Sequence, residues 1–511
     1  MVDENKVAEN DPSRDGIQRL LKNSVSLIGA ALALVSLANI GFLFLIDVFS
    51  RQPSPYVGIL AYMVVPAFFV LGLLLIGVGM LLERRQLRKL RPGEVPPYPR
   101  IDLNKATQRG AVAFFLSFVV VFVVLSALGS YRAYEFTDSV QFCGQLCHSV
   151  MNPEYTAYQG SPHARVRCVD CHVGPGATWY VRSKLSGARQ VYATVFHTFP
   201  RPIPSPVENL RPAQETCEQC HWPKKFHGAQ LKVFTHYASD EANTPRQIRM
   251  LIRTGGGDGT NGPPTGIHWH MNISNEITYI AGDEKHQVIP YIRVKDLQGR
   301  ITEYRAQDSK LTPEQIAAAT KRKMDCVDCH NRPTHVYIPP DRAVDQSLTA
   351  HRMDITLPYL KQQAVAVLTA TYPTTDAAMQ GIATGMHNFY STKYPDLEKS
   401  KQEQIQTAIA EVQRIYRVTT FPEMKLDWKT HPDNVGHFYS PGCFRCHDGQ
   451  HVSADGKVVP KACDTCHEML GQDNGSTMAS AKGGTPFQHP VDLGDLTAVT
   501  CNDCHTGGVS P

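Results

Sequence analysis

Residues 142–174 read FCGQLCHSVMNPEYTAYQGSPHARVRCVDCHVG. Two Cys…Cys-His clusters sit close together, and they are not alike. The second, Cys168-Val-Asp-Cys171-His172, spaces its cysteines by two residues. The first runs from Cys143 to Cys147 with three residues between, followed by His148 and, shortly after, Met151.

The same signature recurs along the chain. Cys217/Cys220, Cys326/Cys329, Cys443/Cys446, Cys463/Cys466 and Cys501/Cys504 are each followed at once by histidine: His221, His330, His447, His467 and His505. All 14 cysteines are thereby accounted for in seven pairs. Disulfides, zinc ribbons and thioredoxin-like redox pairs explain paired cysteines but not a histidine directly after each pair. Haem of the c type explains both. Two thiols add to the two vinyl groups of one haem, and the adjoining imidazole is held at the iron as an axial ligand. Seven covalently bound c-type haems are therefore expected.

Outward from these motifs, charge is close to balanced at +4, which gives no footprint for a nucleic-acid partner. Three uncharged stretches stand out near the N-terminus. Lys22 to Asp47 encloses 24 uncharged residues, Arg51 to Glu83 encloses 31 and Arg109 to Arg132 encloses 22. A helix needs about 20 residues to cross a bilayer, so three transmembrane helices are expected. The segment from Glu83 to Arg109 carries eight Lys/Arg and three acids, which puts it and the N-terminus in the cytoplasm. Everything after the third span then lies in the periplasm. The first span is too long for a signal-peptide core, so no cleavage is expected.

The expected organisation follows: a cytoplasmic arm (1–23), a three-helix membrane anchor (24–132), a three-haem domain (133–230), a haem-free β-rich insertion (231–325) and a four-haem C-terminal domain (326–511) with a helical insertion (342–418). The fold class is a membrane-anchored multihaem cytochrome c whose periplasmic part is loop-rich and mainly α, with a small β insertion. Within the insertion, QLKVFTHY, ITYIAG and VIPYIRVKDLQGRITEYRA alternate apolar and polar residues and read as strands. RTGGGDGTNGPPTG lacks the Gly-Lys-Ser/Thr ending of a phosphate loop and reads as a surface turn. In residues 397–418, Ile405, Ile409, Val412 and Ile415 share one helical face and read as core.

Fourteen histidines lie outside the motifs, and some must complete the irons. Position favours His163, just before the second motif, and His335 and His451, tethered just after the fourth and fifth. His437 and His489 also lie close to motifs. Of His268 and His270, in IHWHM, which reads as a strand, His268 is the choice. Iron held by two imidazoles has no open position, which suits electron transfer.

The stretch YTAYQGSPHARVRCVDCHV, followed by WYVRSKLSGARQVYATVF, resembles the NapC/NirT/NrfH family of membrane-anchored, quinol-oxidising cytochromes. The resemblance covers roughly residues 131–230. The longer layout, with FPEMKLDW and PGCFRCHDGQH, resembles the heptahaem inner-membrane cytochromes of metal-reducing respiration. What it implies is a protein of the bacterial inner membrane that takes electrons from a quinol, with menaquinol expected, and passes them to periplasmic c-type cytochromes. It also implies that Met151 replaces His148 as a ligand of the first haem, and that Lys184 and Glu154 serve the quinol. Departures are evident: the family usually has one anchor helix, two residues between the first cysteines and Met two residues after the histidine. Its acid beside the second tyrosine falls here on Ala157, with Glu154 one helical turn earlier. Two alternatives stand beside this reading: a terminal reductase of a small nitrogen or sulfur oxyanion, and an electron-transfer subunit of a larger complex. Assembly as a homo-oligomer or within a larger respiratory complex is left open.

Overall fold

The computed structural model describes residues 23–49, 65–87, 103–110, 112–114, 116–117, 120, 135–146, 148–173, 177–207, 210–256, 265–271, 275–296, 298–473, 478–480, 486–494 and 499–508. The chain divides into two compact units. One comprises Met1–Phe142 with Pro175–Leu185, and the other Cys143–Gly174 with Ser186–Pro511.

The first unit contains two long apolar helices, α1 (Ser24–Phe49) and α2 (Val65–Leu87). Leu34, Leu74 and Leu81 are largely exposed on them, as side chains facing lipid would be. The helices run antiparallel and approach closely through small residues. A Cβ on Gly29 would lie 2.7 Å from the Gly72 carbonyl oxygen, and Ser26 Oγ donates to the Ile76 carbonyl at 3.2 Å. Small residues let two backbones meet where no hydrophobic effect drives them together. Two helices in the described residues, not three, are long and apolar enough to cross a membrane. The third apolar stretch is helical at 112–114, 116–117 and 120, and its remainder lies outside the described residues, as do most of the N-terminal arm and the basic loop.

Helix α3 (His148–Gln159) follows the first motif, and α4 (Ala177–Val195) follows the second. Sheet content exceeds the small insertion expected. Strands β1 (Gln230–Tyr237) and β2 (Pro245–Ile252) form an antiparallel hairpin, and β3 (Glu276–Ile280), β4 (Tyr291–Lys295), β5 (Ile301–Ala306) and β6 (Arg322–Lys323) build most of a second sheet. Three strands from the C-terminal region complete both: β7 (His451–Ser453) pairs with β5, while β8 (His467–Asp473) pairs with β2 and carries β9 (Met478–Ser480). The sheet orders are β1-β2-β8-β9 and β6-β3-β4-β5-β7. An open edge exposes unpaired backbone groups, and the segments just after the fifth and sixth motifs supply the missing partners. The unit is mixed α and β for that reason.

The helical block consists of α5 (Pro340–Thr349), α6 (Leu360–Thr369), α7 (Thr375–Lys393) and α8 (Gln402–Thr419). Its core includes Leu360, Ile382, Met386, Tyr390, Val412 and Tyr416. Ile405, Ile409, Val412 and Ile415 are buried along one face of α8. Polar groups inside the block are paired: Glu411 accepts from Ser347, Arg352 and Arg414, and Lys361 meets Asp345. These bonds hold the Glu411 carboxyl down to about 2 against the opposing effect of burial.

Asn243 ties the β1–β2 hairpin to this block. It is fully buried at φ 49°, a left-handed conformation that asparagine tolerates. Its Nδ2 donates to the carbonyls of Ile355 (2.9 Å) and Leu357 (2.8 Å), and its Oδ1 accepts from the Lys361 amide at 2.8 Å. Asn243→Ala strands three buried backbone groups and should lower stability by about 3 kcal/mol, read by denaturant unfolding. A change below about 1 kcal/mol would show that the hairpin is not fastened there.

Candidate haem-binding sites

Each standard motif folds as one short helical turn: Cys168–His172, Cys217–Gln219, Cys326–Cys329, Gly442–Arg445, Cys463–Thr465 and Cys501–Cys504. In the third, fourth, fifth and seventh motifs the histidine closes the turn by donating its backbone N–H to the first cysteine's carbonyl, as from His330 to Cys326 (2.8 Å) and His447 to Cys443 (3.0 Å). An i to i+4 closure brings both thiols and the imidazole to one side. In three motifs an aspartate before the second cysteine locks the turn. Asp170, Asp328 and Asp503 accept from the backbone N–H of Arg167, Asp325 and Thr500.

The first motif solves its extra residue by widening the helix. Phe142–Leu146 is a π-helical turn, with i to i+5 bonds in place of i to i+4. A wider turn absorbs the third intervening residue. Gly144 permits it, since a Cβ there would lie 2.2 Å from the Tyr155 ring, and Gln145 Nε2 donates to Tyr155 Oη at 3.0 Å. Cys147 and the side chain of His148 lie outside the described residues.

The thirteen described cysteines are all free thiols. Cys171, Cys220, Cys463 and Cys504 are exposed, and the other nine are partly buried. Cys220 is one of the four exposed thiols. The 3-10 turn of its motif stops at Gln219, and Cys220 caps it at φ −120°, with its backbone N–H on the Cys217 carbonyl at 3.1 Å. No aspartate precedes it to lock the turn; Gln219 stands there and spends its Nε2 on the Glu215 carbonyl at 2.7 Å. The thiol lies at the surface, as do those of Cys171, Cys463 and Cys504. His221 still closes on the Cys217 carbonyl at 2.8 Å, so thiols and imidazole share one turn. Exposure suits a thiol that must react, since addition to a vinyl group needs access.

Consecutive motifs are neighbours in space. The Cys143 thiol donates a hydrogen bond to that of Cys168, and thiols lie near one another between Cys171 and Cys217, Cys217 and Cys326, Cys329 and Cys443, Cys443 and Cys466, and Cys463 and Cys501. Cys171 also feels Cys220, so the exposed thiol of the third motif lies towards the second.

Six motif histidines each face a second imidazole. Ring centroids are 6.4 Å apart for His172 and His335, 6.0 Å for His221 and His163, and 6.3 Å for His330 and His268. They are 5.8 Å apart for His447 and His270, 6.2 Å for His467 and His437, and 6.1 Å for His505 and His489. A metal bound at about 2.0–2.1 Å to one nitrogen of each ring sets centroids about 6 Å apart. The donor set fits a haem iron between each pair. Hydrogen bonding agrees. Nδ1 of His335, His163, His268 and His270 lies 3.0, 3.3, 3.0 and 2.6 Å from the carbonyls of Glu154, Pro333, Thr254 and Ile267. A carbonyl only accepts, so Nδ1 carries the proton and Nε2 keeps the lone pair a metal needs. Burial also holds these rings neutral: it lowers the pKa of His172, His268, His270, His330, His437, His467 and His505, and pushes His335 down to about 4.

The expected partners His163, His268, His335, His437 and His489 therefore meet motif histidines, but not always those nearest in sequence. His335 follows the fourth motif and meets the second; His437 precedes the fifth and meets the sixth. His451 is a correction. It is only 2% exposed, its Nδ1 donates to Asp448 at 2.9 Å and its Nε2 to the Ile289 carbonyl at 2.6 Å. Burial lowers its pKa, but these bonds and the carboxylate outweigh that and raise it. With both nitrogens donating, no lone pair is free for iron. The strand reading of IHWHM is corrected as well: Ile267–Met271 is a 3-10 turn, and His270 joins the set.

Met151 packs against the cluster of Val150, Tyr337, Phe421, Met424 and Leu426. Glu154 Oε1 accepts from Tyr337 Oη at 3.2 Å, its Oε2 has no partner, and burial raises its pKa. Lys184 lies on α4, and its side chain is outside the described residues.

Thiol–imidazole turns, facing imidazole pairs and a membrane anchor define a c-type cytochrome with several haems. Residues 105–202 match the family model for the NapC/NirT cytochrome c family, N-terminal region. The cytochrome c-type protein ImcH of Geobacter sulfurreducens is 48% identical over 488 residues, 95% of each chain. The cytochrome c-type protein NrfH of Wolinella succinogenes is 31% identical over 113 residues, 20% of this chain and 63% of that one. No solved structure matches. The chain belongs to the NapC/NirT-type multihaem cytochromes and is ImcH-like.

His451→Ala should leave the haem absorption spectrum unchanged while lowering stability by about 2 kcal/mol, since Asp448 and the Ile289 carbonyl lose a buried donor. Loss of a low-spin haem in that variant would restore His451 as a ligand.

Proposed function

We propose that the protein is a quinol dehydrogenase of the bacterial inner membrane, with its haem-bearing part in the periplasm. It takes electrons from a membrane quinol, menaquinol by expectation, and delivers them to a periplasmic c-type cytochrome. The observation that carries this reading is the set of facing imidazoles, five of them met at expected histidines. A c-type haem between two imidazoles supplies one-electron transfer and no open position for a substrate. That favours electron transfer over reduction of a small oxyanion.

The chain's own residues have these roles. Seven cysteine pairs would fix the haems, and His172, His221, His330, His447, His467 and His505 would each hold an iron from one side. His335, His163, His268, His437 and His489 would hold five of them from the other. The hydrogen-bonded Nδ1 groups of His335, His163, His268 and His489 orient those rings before any haem is added. At the first site, His148 or Met151 completes the set on the pattern of the family. That pattern also assigns Lys184 to donate to a quinol oxygen and Glu154 to accept a proton. The neighbouring of consecutive motifs supports a path that follows sequence order.

Lys184→Ala should slow reduction by a quinol analogue at least about tenfold and leave reduction by dithionite and the haem count unchanged. Reduction by the quinol at the wild-type rate would remove Lys184 from the site. His335→Ala should turn one haem high-spin in the absorption spectrum, and an unaltered spectrum would count against the paired-imidazole reading.

A further inference from the structure

The glycine-rich stretch and IHWHM, read apart in the sequence, form one device. The chain leaves β2 at Ile252, and Gly256 and Thr265 close a backbone bridge, with Gly256 N donating to the Thr265 carbonyl at 2.6 Å. Gly255 (φ 54°) and Gly266 (φ 77°) stand at its base. A Cβ on Gly255 would lie 1.8 Å from the Thr265 carbonyl oxygen, so only glycine fits. Ile267 N and His268 N then bond the carbonyls of Arg253 and Thr254 at 2.9 Å each. This seats the 3-10 turn Ile267–Met271 on the end of the sheet.

On a 3-10 turn residues advance about 120° each, so two residues apart are about 240° round the axis and face different ways. His268 meets His330 of the fourth motif, and His270 meets His447 of the fifth. Trp269 between them packs on the core of Ile277, Tyr279, Ile289 and Ile292, against which Cys446 also packs. Met271 Sδ lies 3.9 Å from Cys326 Sγ. The turn thus touches the fourth motif through Met271, and it shares with Cys446 of the fifth the core on which Trp269 packs. Among the described residues nothing takes Nε2 of His270, while its Nδ1 is held by Ile267.

We propose that the His268-Trp269-His270 turn is a double clip, holding the haems attached at Cys326/Cys329 and at Cys443/Cys446 through one imidazole each. This rests on the reading of the facing imidazoles as iron ligands. The clip fixes the two sites relative to each other by a single residue of spacing. It also gives them different ligand geometry: the imidazole planes are 7° apart for His268 and His330 and 87° apart for His270 and His447. In low-spin ferric iron, aligned rings separate the two d orbitals that mix with them, and crossed rings leave those orbitals nearly equal in energy. The first site should therefore give a rhombic electron paramagnetic resonance signal, and the second a highly anisotropic one.

The test is that spectrum, recorded on the oxidised full-length protein after the covalent haem count is confirmed by pyridine haemochrome. His270→Ala should remove one highly anisotropic component and add one high-spin iron, and His268→Ala should remove one rhombic component instead. A His270→Ala spectrum identical to wild type overturns the proposal, and so does loss of the same component in both variants. If His270→Ala does not accumulate, His270→Met should keep six-coordination and add the red absorption band of an iron–thioether bond; no such band has the same overturning force. His163→Ala separates the two levels of inference. If it yields a high-spin haem and His270→Ala does not, only the clip fails; if neither does, the ligand reading itself fails.

Discussion

A pair of imidazoles held with centroids about 6 Å apart is the constraint on which the rest depends. The motif supplies the first ring through a single closed turn, and that part is local. The second ring must arrive from elsewhere, at the right distance and already neutral. Burial supplies neutrality, and backbone carbonyls supply orientation. What remains is to bring distant chain segments to six places at once.

The architecture meets that demand by crossing segments over one another. His335, past the fourth motif, reaches back to His172, so the three-motif region is not complete without residues far downstream. The insertion reaches forward through His268 and His270 to the fourth and fifth motifs. β8 opens on the motif residue His467 itself, paired with Ile252, so the sheet positions a motif imidazole as it closes its own edge. The helical block supplies the apolar core that the motif regions lack, and α3 lies against α8, joining the segment after the first motif to that block. Regular structure is thus concentrated between the motifs, where it can carry their partners.

The first site stands apart in its backbone as well as in its sequence. A π turn accommodates the residue that the other motifs lack, and it does so by a local change of pitch. That change sits under the tight contact of Gly144 with Tyr155. Tyr155 belongs to the same helix as Met151 and Glu154, so the pitch change and these two residues lie in one continuous stretch.

The sequence by itself determined the haem type, because thiols and imidazole must be adjacent in the chain to act on one haem. It determined the apolar anchor, because a span is a property of consecutive residues, and it marked the buried face of α8, because helical period is local. Five of the histidines whose rings face a motif imidazole stand close to motifs in the sequence, which does not say which motif each would meet. Tertiary structure decided that pairing, since a ring does not always meet the motif nearest to it in sequence: His335 meets His172 and His437 meets His467. It set the exposure of each thiol too, leaving Cys220 at the surface while Cys217 is half-buried in the same motif. It also decided against His451, whose tether is as short as that of His335 but whose nitrogens are both consumed by Asp448 and Ile289. Likewise it brought in His270: two histidines two residues apart share a face on a strand and diverge on a 3-10 turn, and the glycine bridge that selects the turn forms only when Gly256 meets Thr265.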